Sequence, residues 1–265
     1  MDATQPLILP RDLYAHLGTE LAPVLVDVRR TALSADDRLI AAARHPMPED
    51  LGRWQNELPP GRLVVVYCAD GREISPDVTS ALRSAGIKAV YLEGGLAGWT
   101  ARGLPTRKNL PSDKWVTREH PKIDRVACPW LISRFINPHA QFIYVAPSDV
   151  FETAAETGAI PYDMKGVEFG HHADRCSFDA ISRIFDIHDP ALEHLATIVR
   201  GADTSRPDLA PQCEGLLAIS RGLSAIFPDQ EMLRHGMVIY DALYTWCRSL
   251  QADRPPTSLE QVLHG

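Results

Sequence analysis

The sequence predicts a two-domain α/β protein: a parallel sheet with flanking helices, followed by a mostly helical α+β domain. Before residue 105, short β-branched runs alternate with helical stretches. This order is typical of parallel sheets, because parallel strands need crossover connections. Composition then changes, since eight of the ten histidines and four of the five cysteines follow residue 114. The 265 residues are enough for two domains of ordinary size.

Composition and charge exclude several classes of protein. A hydrophobic content of 45% and a charged content of 23% are typical of a globular chain. The net charge of −7, without a long basic run, argues against a nucleic-acid surface and against an anionic membrane partner. No apolar stretch approaches the roughly 20 residues of a transmembrane helix, and the N-terminus lacks an apolar signal segment. Five scattered cysteines without a C-x-x-C pair favour a reducing, cytoplasmic location.

The first domain is predicted over residues 1–105 from strands and helices in alternation. The predicted strands cover 23–29, 62–67 and 88–92, and helices are predicted from Pro10, near Asp50, from Pro76 and after Gly95. Leu13, Leu17 and Leu21 share one side of the first helix. Ser75 suits the N-cap of the third, because a serine hydroxyl accepts a hydrogen bond from a free helix N–H group.

Cys68 follows the uniformly apolar strand 64–67 and precedes a polar loop and a helix N-terminus. Loop N–H groups and the helix dipole both stabilise an anion at such a place, so a thiol there ionises and becomes a nucleophile. The alternative is a buried, inert cysteine at a strand end. Gly71, Arg72 and the helix start favour the reactive interpretation. Active sites of parallel sheets also lie at the carboxyl ends of strands, where Cys68 stands.

This segment resembles a rhodanese-like domain, which is a sulfurtransferase fold. The resemblance rests on the strand 25–29, the His45 segment, the Cys68 loop and the turn 93–95 with Trp99. It implies that Cys68 carries a persulfide between a small-molecule sulfur donor, of the thiosulfate type, and a thiol acceptor, without an organic cofactor. The loop that would cradle this sulfur consists of Ala69, Asp70, Gly71, Arg72 and Glu73.

The chain departs from this family at two places. Alanines occupy 41–43, where the family's entry motif usually has a glycine. Glu73 stands where many active members place a basic or hydroxyl residue, and an acid disfavours a neighbouring anion unless Arg72 offsets it. A catalytically idle scaffold is therefore an alternative to a sulfurtransferase.

Residues 106–114 predict a linker, because the segment is polar and basic, contains Pro111 and shows no periodicity. A second domain is predicted over 115–250 and a Pro-rich tail over 251–265.

A metal site is predicted in the second domain from several potential ligands close together in sequence. They are Glu168, His171, His172, Asp174 and Cys176. His172, Asp174 and Cys176 are spaced by two, so they share one face if the chain is extended. Mixed nitrogen, oxygen and sulfur ligands suit zinc, iron or manganese. The alternative is a polar loop in which one histidine is hydrogen-bonded to the protein.

Basic residues precede the helix that starts near Asp124. Arg118, Lys122 and Arg125 suit an oxyanion at that helix N-terminus, and a solvated basic turn is the alternative. Asp203, which follows a later predicted helix, is a further candidate for a site.

The second domain resembles the C-terminal domain of the chromate-resistance B protein. The resemblance rests on the segments 117–136, 166–179, 198–203 and 240–244. It implies a role in resistance to chromate or in sensing it, and thiosulfate and chromate are both tetrahedral dianions. Three hypotheses follow: a sulfurtransferase coupled to an oxyanion-handling domain, a non-catalytic chromate or metal sensor, and a metal-dependent enzyme centred on His171 and His172.

Overall fold

The computed structural model describes residues 6–72 and 74–251. They form two compact units, of which the first ends at Asn109 and the second begins at Leu110. The elements of the first unit are β1 (Leu7–Ile8), α1 (Pro10–Tyr14), β2 (Val24–Asp27), β3 (Arg38–Ile40), α2 (Leu51–Trp54), β4 (Val64–Tyr67), α3 (Ile74–Ser84), β5 (Ala89–Leu92), α4 (Gly95–Thr100) and β6 (Thr106–Lys108).

A four-stranded parallel sheet organises the first unit, with the strand order β1-β5-β4-β2. In β4, Val65 pairs with Leu25 on one side and with Val90 on the other. Alternate β4 residues face two separate hydrophobic clusters, Val65 with one and Val64 and Val66 with the other. Helices therefore cover both faces, which explains why β4 is apolar without alternation and confirms the predicted parallel sheet.

Helix α1 is shorter than the leucine spacing predicts. It ends at Tyr14, and Gly18 then adopts a φ of 77°. Because a left-handed residue redirects the chain, Leu21 does not continue the apolar side, and it is 77% exposed.

The predicted linker over 106–114 is corrected at both ends. Thr106–Lys108 is a strand that pairs antiparallel with β3, and Arg107 opposite Leu39 is only 6% exposed. The Asn109 N–H donates to two carbonyl oxygens of the first unit, and Lys114 already begins a strand of the second. Three residues are too few to show a periodicity in sequence, so only the tertiary pairing reveals this strand.

The second unit is the expected mostly helical α+β domain. Its elements are β7 (Lys114–Arg118), α5 (Asp124–Leu131), β8 (Gln141–Val145), α6 (Val150–Thr157), β9 (Ile160–Pro161), α7 (Ser177–Ile184), α8 (Pro190–Asp203), α9 (Cys213–Ile226) and α10 (Asp229–Ser249). A π-helical turn, Ile132–Ile136, continues α5. The central strand β7 pairs in parallel with β8 and β9. None of the helices in 6–72 and 74–251 is both long and apolar enough to cross a bilayer.

Aromatic side chains fill the core between α5, α7 and α10. Trp130 is fully buried, stacks on Phe178 at 6.3 Å between ring centroids and lies 5.6 Å from Tyr244. Its Nε1–H donates to Asp241 Oδ1 at 2.8 Å, so the polar atom of the indole is satisfied. The hydroxyl of Tyr240 in α10 donates to the Ile123 carbonyl oxygen at 3.2 Å, next to the N-terminus of α5, which carries a site residue described below.

Two helical glycines provide a matched test of the packing between α5 and α10. A Cβ at Gly236 in α10 would lie 2.3 Å from Val126 Cγ1, whereas a Cβ at Gly222 in α9 would meet nothing within 4 Å. We expect Gly222→Ala to raise the free energy of unfolding by up to about 1 kcal/mol, because alanine favours helix. Gly236→Ala should lower it by about 1–3 kcal/mol through overpacking. Urea unfolding measures both, and a stabilised Gly236→Ala variant would contradict the close approach of the two helices.

Candidate functional sites

Cys68 lies at the carboxyl end of β4, and its side chain is held between a loop and the start of α3. The residue is 4% exposed. Gly71 N–H donates to Cys68 Sγ at 3.3 Å, and Ser75 Oγ lies 3.2 Å from the sulfur. Burial alone would raise the pKa of the thiol, but hydrogen bonds from the Ser75 hydroxyl and from the backbone N–H groups of Ser75, Gly71 and Asp70 together lower the pKa below its usual value. The surroundings of the sulfur therefore favour the thiolate.

Ser75 has a different role from the predicted N-cap. Helix α3 begins one residue earlier, at Ile74, so Ser75 lies inside the first turn and is fully buried. Its hydroxyl faces the sulfur, not a free N–H group of the helix. The same side chain that looks like a helix start signal in sequence is thus a contact of the Cys68 sulfur.

The predicted cradle residues that the structure describes take up two kinds of position. Gly71 is buried with a φ of 76°, while the side chains of Ala69, Asp70 and Arg72 are exposed. Asp70 Oδ1 accepts the Arg72 N–H at 3.1 Å, which closes the loop. Glu73 lies outside the described residues. Stabilisation of an anionic Cys68 sulfur by the Arg72 charge stays a prediction.

The first turn of α4 supports this loop through backbone contacts. Leu96 N–H donates to the Cys68 carbonyl oxygen and Ala97 N–H to the Ala69 carbonyl oxygen, both at 2.9 Å. A Cβ at Gly95 would lie 2.5 Å from Cys68 O and 2.6 Å from Gly71 N. Only a residue without a side chain fits this position, which explains the glycine at the start of α4.

We expect Ser75→Ala to raise the pKa of Cys68, because the thiolate loses a hydroxyl donor. Since the thiolate forms only above the pKa, the pH profile of alkylation by iodoacetamide should move to higher pH. At neutral pH the rate should fall about two- to tenfold, which corresponds to one hydrogen bond of about 0.5–1.5 kcal/mol. Ser80→Ala, at an exposed position of α3, should leave the profile unchanged. If the pH profiles of alkylation are the same for both variants, Ser75 does not stabilise the Cys68 thiolate.

In the second unit, the residues predicted as metal ligands do not form one group. Glu168, His172 and Asp174 are exposed, and His172 Nε2 contacts the Glu168 carbonyl oxygen at 2.8 Å. Cys176 is buried as the N-cap of α7, where its Sγ accepts the Asp179 N–H. The chain is not extended here, because His172 and Arg175 exchange backbone hydrogen bonds around Ala173, which has a φ of 54°. This tight turn separates side chains that a spacing of two would place on one face.

His171 instead meets three aspartates from distant parts of the sequence. Its Nε2 lies 3.4 Å from Asp124 Oδ2, 3.3 Å from Asp163 Oδ1 and 3.2 Å from Asp203 Oδ2. Asp124 opens α5, Asp163 follows β9 and Asp203 closes α8. We refer to Asp124, Asp163, His171 and Asp203 as the Asp–His cluster. It brings together His171 and Asp203, which the sequence suggests, and two aspartates that it does not assign to a metal.

The electrostatics of the Asp–His cluster are dominated by its crowded carboxylates. Burial, together with repulsion from Asp203 and Asp163, raises the pKa of Asp124 to about 7, against the opposing effect of His171. The three carboxylates raise the pKa of His171 to about 12. Burial would raise the pKa of Asp163 as well, but His171, Arg118 and Arg125 lower it below the usual value. The cluster therefore attracts positive charge strongly.

Two of the three basic residues predicted to hold an oxyanion bind Asp163. Arg118 Nη2 lies 2.9 Å from Asp163 Oδ2, and Arg125 Nε lies 3.4 Å from the same oxygen. Lys122 is exposed. Both guanidinium groups thus already have an anionic partner in the protein, and binding of an external oxyanion by the three residues stays a prediction.

Asp163 and Ser177 are the functional candidates that the sequence does not reveal. Ser177 is fully buried at the start of α7, where its N–H donates to Asp124 Oδ2 at 2.5 Å and its hydroxyl to Asp163 Oδ1 at 3.0 Å. The strand before Asp163 has two residues, one of them Pro161, and is too short to predict. Had β9 been known to lie parallel to β7, the carboxyl ends of both strands would have placed Asp163 beside Arg118.

Comparisons with known proteins match both units. The family model of the ChrB C-terminal domain matches residues 115–247, and that of the rhodanese-like domain matches residues 9–102. Protein ChrB of Cupriavidus metallidurans is 34% identical over 153 residues, which are 57% of this chain and 45% of ChrB. An uncharacterized protein of Synechocystis is 34% identical over 111 residues, 41% of this chain and 60% of that protein. The chain thus spans about half the length of these curated relatives.

Solved structures of rhodanese-like proteins match about a third of the chain. A rhodanese-related protein from Thermoplasma volcanium is 26% identical with a TM-score of 0.33, and the match covers 37% of this chain and 94% of the other. A rhodanese-like domain protein from Staphylococcus aureus is also 26% identical with a TM-score of 0.33, and the match covers 36% and 91%.

Proposed function

The chain belongs to the family defined by the ChrB C-terminal domain, and because a rhodanese-like domain precedes that domain, we propose that it is a sulfurtransferase. In this proposal Cys68 carries the transferred sulfur, and the second unit handles chromate and thereby links the protein to chromate resistance. The five cysteines are all unpaired, which favours the reducing, cytoplasmic setting that persulfide chemistry needs.

The observation that carries the proposal is the set of donors around Cys68 Sγ. A hydroxyl and backbone N–H groups converge on one sulfur at the end of a strand and the start of a helix. Such donors are pre-arranged for negative charge, because they belong to backbone and buried side chains that need no rearrangement. A structural cysteine in the core would not need them.

Sulfur transfer from a thiosulfate-type donor uses this arrangement in two displacement steps. The Cys68 thiolate attacks the outer sulfur of the donor, a new S–S bond forms, and sulfite leaves with the electron pair of the bond that breaks. The resulting persulfide anion keeps its charge beside the Gly71 N–H and the Ser75 hydroxyl. An acceptor thiolate then attacks the outer sulfur and takes it as its own persulfide, and Cys68 returns as a thiolate. The two steps consume no oxidant or reductant.

Intact-mass analysis after exposure to thiosulfate tests the proposal. We expect the protein to gain one sulfur atom and to release it when a small thiol is added. The gain should vanish in Cys68→Ser and persist in Cys247→Ser, which changes a buried cysteine of α10. No gain in the natural protein would overturn the proposal and favour a non-catalytic scaffold with a sensor domain.

Handling of chromate by the second unit is the second part of the proposal. Its support is the family assignment and the basic residues Arg118, Lys122 and Arg125 near the start of α5. Calorimetric titration with chromate tests it, because Lys122→Ala removes the exposed charge of the three without breaking an ion pair to Asp163. Binding that weakens in Lys122→Ala supports the proposal, and the absence of chromate binding contradicts it.

A further inference from the structure

The geometry around His171 Nε2 does not match ordinary hydrogen bonding. A ring nitrogen carries at most one proton, which points to one acceptor, yet three carboxylate oxygens lie 3.2–3.4 Å from this atom. Charge-assisted N–H···O contacts are usually about 2.7–2.9 Å long. The three nearly equal and longer distances therefore indicate that the carboxylates gather around His171 without any one of them being its single hydrogen-bond acceptor.

The spacings match the edges of a metal coordination sphere. Zinc or magnesium ligands lie about 2.0–2.2 Å from the ion, so neighbouring ligand atoms in octahedral or tetrahedral geometry lie about 3.0–3.5 Å apart. The distances from His171 Nε2 to the three oxygens fall in this range. Asp124, Asp163 and His171 each offer one ligand atom, and these three atoms lie within 4.8 Å of one another.

A buried oxygen without a partner gives a second and independent indication. Asp124 is 1% exposed, and its Oδ1 has no hydrogen-bond partner among the described residues. A buried carboxylate oxygen left in this state is costly unless a cation satisfies it. Because the other oxygen of the same carboxylate faces His171, the unsatisfied atom belongs to the cluster.

Further hydrogen bonds also fix the orientation of the carboxylates, as is usual for metal ligands. Ser177 binds Asp124 through its N–H and Asp163 through its hydroxyl, and Arg118 holds the second oxygen of Asp163. The Asp124 N–H lies 3.4 Å from Asp203 Oδ1. The His171 side chain is 42% exposed, which leaves an entry path from solvent. The cluster is thus oriented on its buried side and open on the other.

We propose that the Asp–His cluster binds a divalent transition-metal ion of the Mn²⁺ class through Asp124, Asp163 and His171, with Asp203 as a fourth ligand. Carboxylate oxygens suit manganese and magnesium, whereas an imidazole nitrogen suits transition ions, so the mixture favours an ion that accepts both. The Cys176 sulfur is used to cap α7, so the four residues of the Asp–His cluster include no soft sulfur ligand that would select copper. This site does not depend on the sulfur chemistry of Cys68.

Titration of the full-length protein with Mn²⁺ alone, after removal of metals with a chelator, tests the site. The electron paramagnetic resonance signal of free Mn²⁺ reports binding, and thermal unfolding reports its effect on stability. The matched variants are His171→Ala and His172→Ala, which change adjacent exposed histidines of the same loop. Asp203→Asn, on a different element, is a second ligand variant, and circular dichroism checks that each variant folds.

We expect the natural protein to bind one Mn²⁺ and to unfold at higher temperature when loaded, since a ligand of the native state stabilises it by mass action. His171→Ala and Asp203→Asn should each weaken binding by about tenfold or more, whereas His172→Ala should bind as the natural protein does. The absence of Mn²⁺ binding would overturn the proposal. So would unchanged binding in folded His171→Ala, or a loss confined to His172→Ala, which would favour a different ligand set.

Discussion

Gly95→Ala should abolish the gain of sulfur at Cys68 and lower the free energy of unfolding by about 2–5 kcal/mol. Gly95 has a φ of 55°, a left-handed conformation that costs an alanine about 1–2 kcal/mol. The added Cβ would also lie within 2.6 Å of Cys68 O and Gly71 N, and moving these atoms displaces the sulfur loop at a cost of about 1–3 kcal/mol. Intact-mass analysis after exposure to thiosulfate measures the first effect, and urea unfolding measures the second.

Gly86→Ala is the matched control for this variant. Gly86 has a φ of 80°, but a Cβ there would meet nothing within 4 Å. It should therefore lose only the conformational part, about 1–2 kcal/mol, and keep the reactivity of Cys68. If Gly95→Ala and Gly86→Ala lose the same stability and both react normally, the close contact between the start of α4 and the Cys68 loop is wrong.

Trp130→Ala should destabilise the second unit by about 3–5 kcal/mol, a large part of the total stability of a typical domain. The indole is fully buried among four aromatic rings, and its removal leaves a cavity and takes a hydrogen bond from Asp241. Trp130→Phe keeps a ring in the core and loses mainly the hydrogen bond, so it should cost clearly less. Calorimetric unfolding compares the two variants.

The effect should be confined to the second unit, and this provides the control. Cys68 lies in the first unit, so thiosulfate should still transfer sulfur to Cys68 in Trp130→Ala at temperatures where the first unit stays folded. Equal unfolding temperatures for Trp130→Ala and the natural protein would contradict the assignment of Trp130 to the core.

The first unit is predictable to a large extent because its signals are local. Strand β4 is a short apolar run directly followed by Cys68, and the next strand follows a helix that ends at a glycine. What the sequence does not reveal there are relations between distant segments. Strand β6 exists only through its pairing with β3, and the Ser75 hydroxyl has two local roles, of which packing around Cys68 selects one.

The candidate site of the second unit is less predictable, because its residues are far apart in sequence. Asp124, Asp163 and Asp203 are each an ordinary aspartate next to the end of an element, and no spacing links them to His171. The local pattern of histidine, aspartate and cysteine after residue 170 is more conspicuous, but a turn at Ala173 separates its side chains. Of that pattern, only His171 belongs to the Asp–His cluster. The three aspartates of the cluster come from α5, from the segment after β9 and from α8.

The hydrogen bonds that hold the Cys68 loop against the start of α4 have a consequence for sequence divergence. They join main-chain atoms, from Leu96 and Ala97 to the carbonyl oxygens of Cys68 and Ala69. Main-chain atoms are the same in every residue type except for the missing N–H of proline. Mutations can therefore replace the exposed side chains at 69 and 97 over evolutionary time while the sulfur stays in position. For these backbone contacts, substitution is restricted mainly at Gly71 and Gly95, because a Cβ at either position would collide with neighbouring backbone atoms.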